Sequence, residues 1–332
     1  MRFFSSKGFK VFGIDNDMRR YFFGKSASTS GNIKKLIKEV LDYKHYPIDI
    51  RNLKKINEIF KNNTFDLIIH AASQPSHDWA TNEPITDFSI NSSATFYLLE
   101  NFRRYCPLGV FVFLSTNKVY GDTPNRLPFI EEKTRFEIKK DNEFSDGIDE
   151  TMPIDQSLHS LFGASKTCAD LFVQEYGRYF NLRTVCFRAG CITGSAHAGT
   201  ELHGFLAYLG KCIATGKAYE IFGYKGKQVR DNIHASDLVK AIYCYFLSPK
   251  YGEVYNIGGS RYSNISILEA IDKFEFALKK KANYHCVKTP RLGDHMWYIS
   301  DISKFKNHYP DWELLYSIDD IIDEICRFGN FK

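Results

Sequence analysis

Phe162 and Lys166 stand four residues apart in the stretch His159-Ser160-Leu161-Phe162-Gly163-Ala164-Ser165-Lys166. On a helix, side chains at that spacing leave from one face, so the ring and the ammonium could line one pocket. A core phenylalanine next to a solvated lysine would satisfy the same spacing. What argues for chemistry is a second stretch upstream. A short apolar run, Val110-Phe111-Val112-Phe113-Leu114, ends in Ser115-Thr116-Asn117-Lys118-Val119-Tyr120-Gly121, gathering hydroxyls, an amide and an ammonium where a strand stops. Farther on, Arg230 lies in Gly226-Lys227-Gln228-Val229-Arg230-Asp231-Asn232-Ile233-His234. Its planar guanidinium could grip a diphosphate, with Asp231 to orient it.

Elements that could position these groups alternate along the chain. Lys10 to Asn16 reads as a strand ending in an acid, and Lys34 to Tyr43 as an amphipathic helix with Leu36, Ile37, Val40 and Leu41 on one side. Phe65 to His70 is a continuous apolar run of the kind buried on both faces of a parallel sheet. A helix around Thr95 to Tyr105, the strand at 110–114, the helix carrying Lys166 and the strand Arg183 to Arg188 follow. Strands alternating with helices predict an α/β fold with a doubly wound, mostly parallel sheet. The polar segment from Leu127 to Asp149 has no clear period and reads as a surface excursion near the site.

Composition narrows the function classes. The chain has 332 residues, 44% hydrophobic and 25% charged, as in an ordinary globular protein with room for a cofactor unit and a smaller appended part. Its net charge of +5 suits an anionic small ligand and is too small and scattered to argue for nucleic acid. Eight cysteines with no C-x-x-C pair speak against a structural zinc, and no metal site is expected. A reducing cytoplasm is the expected location. No apolar run approaches the roughly 18 residues that would span a bilayer, so no membrane partner is expected.

Together the strand ending in Ser115-Thr116 and the Phe162/Lys166 helix resemble the catalytic strand and helix of the extended short-chain dehydrogenase/reductases, the NAD-dependent epimerase/dehydratase family. The resemblance implies a Rossmann fold binding NAD, with Thr116 and Lys166 in catalytic positions and Phe162 where the family has a tyrosine. There the tyrosine acts as base on a sugar hydroxyl while hydride passes to NAD, and the lysine lowers the tyrosine's pKa and holds the nicotinamide ribose. A phenyl ring cannot take a proton, so another group, such as Tyr120, His159, Cys191 or His203, must do so, or the chain is a binder without catalysis. The cofactor residues implied are Asp15 and Asn16 at the adenosine ribose, Asp49 and Ile50 at the adenine, Ala71, Ala72 and Ser73 near the pyrophosphate, Asn91 and Lys166. A carboxylate such as Asp15 accepts both ribose hydroxyls and repels a 2′-phosphate, which favours NAD over NADP.

The resemblance also implies a first strand and glycine-rich turn ahead of Asp15. The chain starts inside what reads as the end of the following helix, with Phe3-Phe4 as its apolar face and Gly8 as its C-cap. The sheet is accordingly expected to lack that first strand and turn. The expected division is 1–188, with 229–257 contributing, for NAD, and 189–228 with 258–332 for a nucleotide sugar. Asn117, Cys191, Gln228, Arg230 and Arg291 are the implied substrate contacts. Within the family, Ser73-Gln74-Pro75-Ser76, Asn117-Lys118 and Gly226 to Asp231 are most similar to the CDP-paratose 2-epimerases. Dehydratases carry Asp-Glu directly after the threonine, so epimerisation of a CDP-sugar is expected and dehydration is not. Keto-reduction or epimerisation at C4 would preserve the same motifs. Members commonly form homodimers through two long helices, here including the Lys166 helix.

Overall fold

The apolar runs become strands, and their alternation decides what each face meets. In the computed structural model, which describes residues 1–197, 199–201, 203–329 and 331, the strands are β1 (Phe12–Ile14), β2 (Lys44–Tyr46), β3 (Leu67–His70), β4 (Val110–Thr116), β5 (Phe129–Glu131), β6 (Phe136–Ile138), β7 (Arg183–Ala189), β8 (Cys191–Thr193), β9 (Tyr219–Phe222), β10 (Val229–His234), β11 (Glu253–Ile257), β12 (Asn264–Ser266), β13 (Tyr284–Val287) and β14 (Trp297–Tyr298). The main sheet runs β11-β7-β4-β3, parallel throughout. Val110, Val112, Val185 and Phe187 point to a core shared with the helix Ala235–Leu247. Phe111, Phe113 and Cys186 point the other way, toward the helices Leu53–Lys61, Ala94–Tyr105 and Ser160–Tyr179. This is the doubly wound arrangement expected of an α/β chain.

β1 and β2 pair in parallel with each other as a separate two-stranded sheet. Among the described residues no strand lies between β1 and β3, and both flank one large cavity. The short helix Arg2–Ser6 packs Phe3 and Phe4 edge-on against Tyr243 of the Ala235–Leu247 helix, and Gly8 follows at φ +86°.

A second sheet, β12-β10-β14 with β8 beside the far end of β10, forms the floor of the other part. Val229–His234, expected with the cofactor unit, is the central strand of this smaller sheet, whereas Glu253–Ile257 joins the main sheet. Residues Ile302, Phe305, Tyr309 and Trp312, expected with the substrate part, pack into the main-sheet core. The helices Phe205–Thr215, Ile267–Leu278 and Ile318–Phe328 enclose a third cluster.

Two local expectations need correction. The helix expected at Lys34 to Tyr43 runs instead over Ser30–Glu39, and Ile37 and Leu41 are exposed. Its C-cap Val40 is extended and Asp42 adopts φ 56°, so the chain turns before a further helical turn can form. The segment from Leu127 to Asp149 contains the antiparallel hairpin β5–β6, with Phe136, Ile138 and Ile148 buried. Among the described residues no helix is long and apolar enough to cross a membrane.

Candidate active site

β4 and the helix Ser160–Tyr179 carry the residues first singled out, and both line a cavity of about 1140 Å³. Thr116 ends β4 and caps the following turn, its Oγ1 accepting from the Lys118 amide at 3.3 Å. Lys166 is buried, donates from Nζ to the Leu114 carbonyl at 2.9 Å, and lies 4.0 Å from the Phe113 ring centroid. Burial, which disfavours an ammonium, brings its pKa down to about 8. Phe162, one turn earlier, reaches the same cavity.

Each group named as a substitute proton carrier can be placed. His159 has both ring nitrogens against carbonyls, Nδ1 at 3.0 Å from Ser157 and Nε2 at 2.8 Å from Val119, which fixes the turn before the helix. Tyr120 donates to Asn256 Oδ1 at 2.8 Å and accepts from Arg188, and burial pushes its pKa up to about 12. Cys191 lines the cavity with its thiol pushed up to about 11 by burial. His203 lines it too, stacked on Phe23 with Nδ1 at 3.5 Å from Arg19.

Sequence reasoning missed His77. Its ring meets Phe162 edge-on at 5.0 Å, and Nδ1 lies 2.7 Å from Ser160 Oγ. Gly293, at φ +77°, makes room for it, since a Cβ there would stand 2.6 Å from His77 Cε1. Ser160 adopts φ +60°, a left-handed conformation costing a residue with a Cβ about 1 kcal/mol. Burial lowers the His77 pKa to about 3, Lys118 and Arg291 acting in the same direction and Asp294 against it.

At the other end of the cavity cations gather around one carboxylate. Arg230 Nη2 donates to Asp294 Oδ1, and Lys118 Nζ lies 3.8 Å from the same oxygen. Burial opposes the Asp294 charge, but Arg230 and Lys118 hold its carboxyl below the usual range. Burial brings Lys118 down to about 8. Arg291 lies over the Phe222 ring at 4.0 Å and donates to the Glu201 carbonyl. Gln228 is buried with Oε1 unpartnered among the described residues, and it lines the cavity with Asn117. Arg230, Lys118 and Arg291 thus bring three cations to this end of the cavity, groups that could engage a diphosphate.

The cofactor residues are placed unevenly. Asp15, at the end of β1, accepts at Oδ1 from Thr29 Oγ1 and the Asp17 amide. Asn16 donates to Asp49, whose carboxylate also pairs with Arg51 at 2.7 Å. Asp15, Asn16, Asp49, Ile50, Ala71, Ala72 and Ser73 all line the cavity. Asn91 does not. It is buried, holding both the amide and the carbonyl of Gln74 at 3.0 Å and reaching Ser165 Oγ at 3.2 Å. Its amide is consumed in tying the loop after β3 to the Lys166 helix, so it is a positioning residue and not a cofactor contact. The residues present fit the two ribose ends of a dinucleotide. No glycine-rich turn faces the space between them among the described residues.

The sequence profile described as "NAD dependent epimerase/dehydratase family" matches residues 1–258. The chain belongs to that family. It is 30% identical over 285 residues to a CDP-paratose 2-epimerase of Salmonella typhi, covering 83% of this chain and 81% of that protein. A dTDP-glucose 4,6-dehydratase of Shigella flexneri is 28% identical over 324 residues, covering 91% and 78%. The structure of a UDP-glucose 4-epimerase from Bifidobacterium longum in complex with NAD+ and UDP superposes with a TM-score of 0.77 at 22% identity, over 97% of this chain and 91% of that one. At that identity the likeness concerns the fold, and it agrees with the mostly parallel sheet found here. NAD is the cofactor of the family, and its members' chemistry is the reference for this site.

Proposed function

We propose that this protein is a nucleotide-sugar epimerase that uses NAD as a retained cofactor and inverts C2 of a CDP-sugar. The observation that carries the reading is the continuity of one cavity from the Arg230, Lys118 and Arg291 cluster to Thr116, Phe162 and Lys166. A diphosphate gripped at the cationic end lays its sugar toward the other. The similarity to a CDP-paratose 2-epimerase supports the choice of nucleotide and carbon. So does Asn117-Lys118, which puts an amide and an ammonium where dehydratases carry two carboxylates.

When bound, NAD supplies reversible acceptance of hydride from a sugar carbon. Asp15 would hold its adenosine ribose, the backbone at Ala71 and Ala72 would allow close approach, and Lys166 would hold the nicotinamide ribose. Arg230 and Arg291 fix the diphosphate while the sugar presents first one face and then the other. Thr116 polarises the reacting hydroxyl. The division into a cofactor part (1–188 with 229–257) and a substrate part (189–228 with 258–332) belongs to this reading, amended so that Val229–His234 goes with the substrate part and Ile302 to Trp312 with the main-sheet core. So does a homodimer in the cytoplasm, supported by the exposed Leu161, Leu171, Phe172 and Tyr179 on one long helix and Tyr97 on another.

Phe162 favours a second reading, a nucleotide-sugar-binding paralogue without turnover. Calorimetric titration with CDP, UDP and dTDP tests what the two readings share: CDP is expected to bind tightest, and equal or absent binding of all three would count against it.

A further inference from the structure

Phe162 carries no phenol at the position where the family has a tyrosine, and the group packed against its ring is an imidazole. We propose that His77 is the catalytic acid and base of this site, taking the reacting sugar hydroxyl's proton at Nε2 and returning it. The inference rests on the epimerase reading. His77 lines the cavity with Thr116, Phe162 and Lys166. Its Nδ1 is engaged by Ser160 Oγ at 2.7 Å, while among the described residues no hydrogen bond is made to Nε2. A ring held at one nitrogen and open at the other is the arrangement a general base needs, with Ser160 as its orienting partner.

Three elements hold the ring in place. Phe162 packs edge-on at an interplanar angle of 73°. Gly293 gives up its Cβ space to it. The loop leading into the short helix His77–Asn82 is clamped by Asn91 and by Gln74, whose side chain bonds the Ser76 amide at 2.6 Å and the Ser76 carbonyl at 2.8 Å. The other histidine near the helix start, His159, has both nitrogens committed to carbonyls and is not available. Burial keeps the His77 imidazole in its neutral form at physiological pH, the form with a free ring lone pair.

The step balances. The sugar O–H bond breaks, its proton goes to His77 Nε2, and its electron pair becomes the second bond of the carbonyl. NAD, held by Asp15 and Lys166, would supply acceptance of the hydrogen on the same carbon as hydride and its return to the other face, and the proton coming back from His77 would then restore every group.

The test uses His77→Gln, which keeps a polar side chain and cannot titrate, in the full chain with NAD and CDP-paratose. Turnover is expected to fall about 100-fold or more, with CDP affinity by calorimetry within about threefold of wild type. Adding Phe162→Tyr to His77→Gln should restore at least about tenfold and move the pH profile, because a phenol beside Lys166 titrates differently. NMR of the ring gives a readout independent of turnover: the His77 resonances should shift with CDP-paratose and much less with CDP alone. Wild-type turnover by His77→Gln overturns the proposal and points to Lys118. A bound CDP-paratose that leaves the His77 resonances unmoved also overturns it. Failure of the wild type to bind CDP at all would instead overturn the nucleotide-sugar reading.

Discussion

At the diphosphate end of the cavity the strands have neighbours: β10 lies between β12 and β14, β8 pairs with its far end, and Arg230 stands near its start. At the dinucleotide end, among the described residues, β1 pairs only with β2 and β3 only with β4, and both strands line the cavity. The two ends therefore fix their ligand groups with different rigidity. Arg230 and Asp294 are held by a packed sheet and by each other, whereas Asp15 stands on a strand bonded along one edge. Local stability follows the number of packed and hydrogen-bonded neighbours. Nucleotide-sugar binding is thus expected to be the more robust property, and affinity for the dinucleotide the more easily disturbed one.

The largest effect should come from the closed part of the main sheet. Asp170 accepts two bonds from Arg188, at 2.9 and 3.2 Å, and one from Ser115 at 2.5 Å, all buried. Asp170→Ala leaves the guanidinium uncompensated and should cost about 3–5 kcal/mol in denaturant unfolding. Next is the diphosphate grip. Arg230→Gln removes charge-assisted bonds of about 1.5–3 kcal/mol each and should weaken CDP binding at least tenfold by calorimetry. Paired truncations sharpen the contrast. Val185→Ala, in the packed interior, should cost about 2 kcal/mol, and Ile69→Ala, beside the cavity, less than about 1 kcal/mol although it removes more carbon. Equal costs would mean that the two halves are equally packed.

The smallest effect concerns pH. His70 is buried in the cavity wall, its Nε2 2.9 Å from Thr95 Oγ1, and burial lowers its pKa to about 3. The unfolded chain takes up this proton near pH 6.5 and the folded one only near 3. Its stabilising contribution is thus complete above the unfolded value and lost as pH falls through that window, by at most about 1.4 kcal/mol per pH unit. Asp231, raised by burial to about 6, acts in the opposite sense between its unfolded value and 6. The informative quantity is therefore the difference between wild type and His70→Gln, which should show the flatter acid limb in thermal unfolding.

Much of the fold could be read from the sequence because its strands are continuous apolar runs. Val110 to Leu114 and Phe65 to His70 are such runs, and each appears as a strand within two residues of the expected bounds. The helix expected at Lys34 to Tyr43 ends early because Leu36 lies beside the cavity, Ile37 and Leu41 lie in solvent, and the buried Val40 already stands at the C-cap. Among site residues, Thr116, Lys166 and Arg230 carry local motifs. His77 carries none. It meets Ser160 across 83 positions of sequence, a proximity created only when the loop after β3 folds onto the long helix. Asn91 illustrates the converse: its motif groups it with the cofactor residues, whereas its hydrogen bonds to Gln74 and Ser165 tie a loop to the long helix.

The most direct test of the central claim is NMR analysis of the products formed when the protein is incubated with NAD and CDP-paratose. Epimerisation requires the C2 epimer to appear and approach equilibrium without net accumulation of NADH. A keto or dehydrated sugar, stoichiometric NADH, or unchanged CDP-paratose in a protein shown to bind both ligands would contradict it.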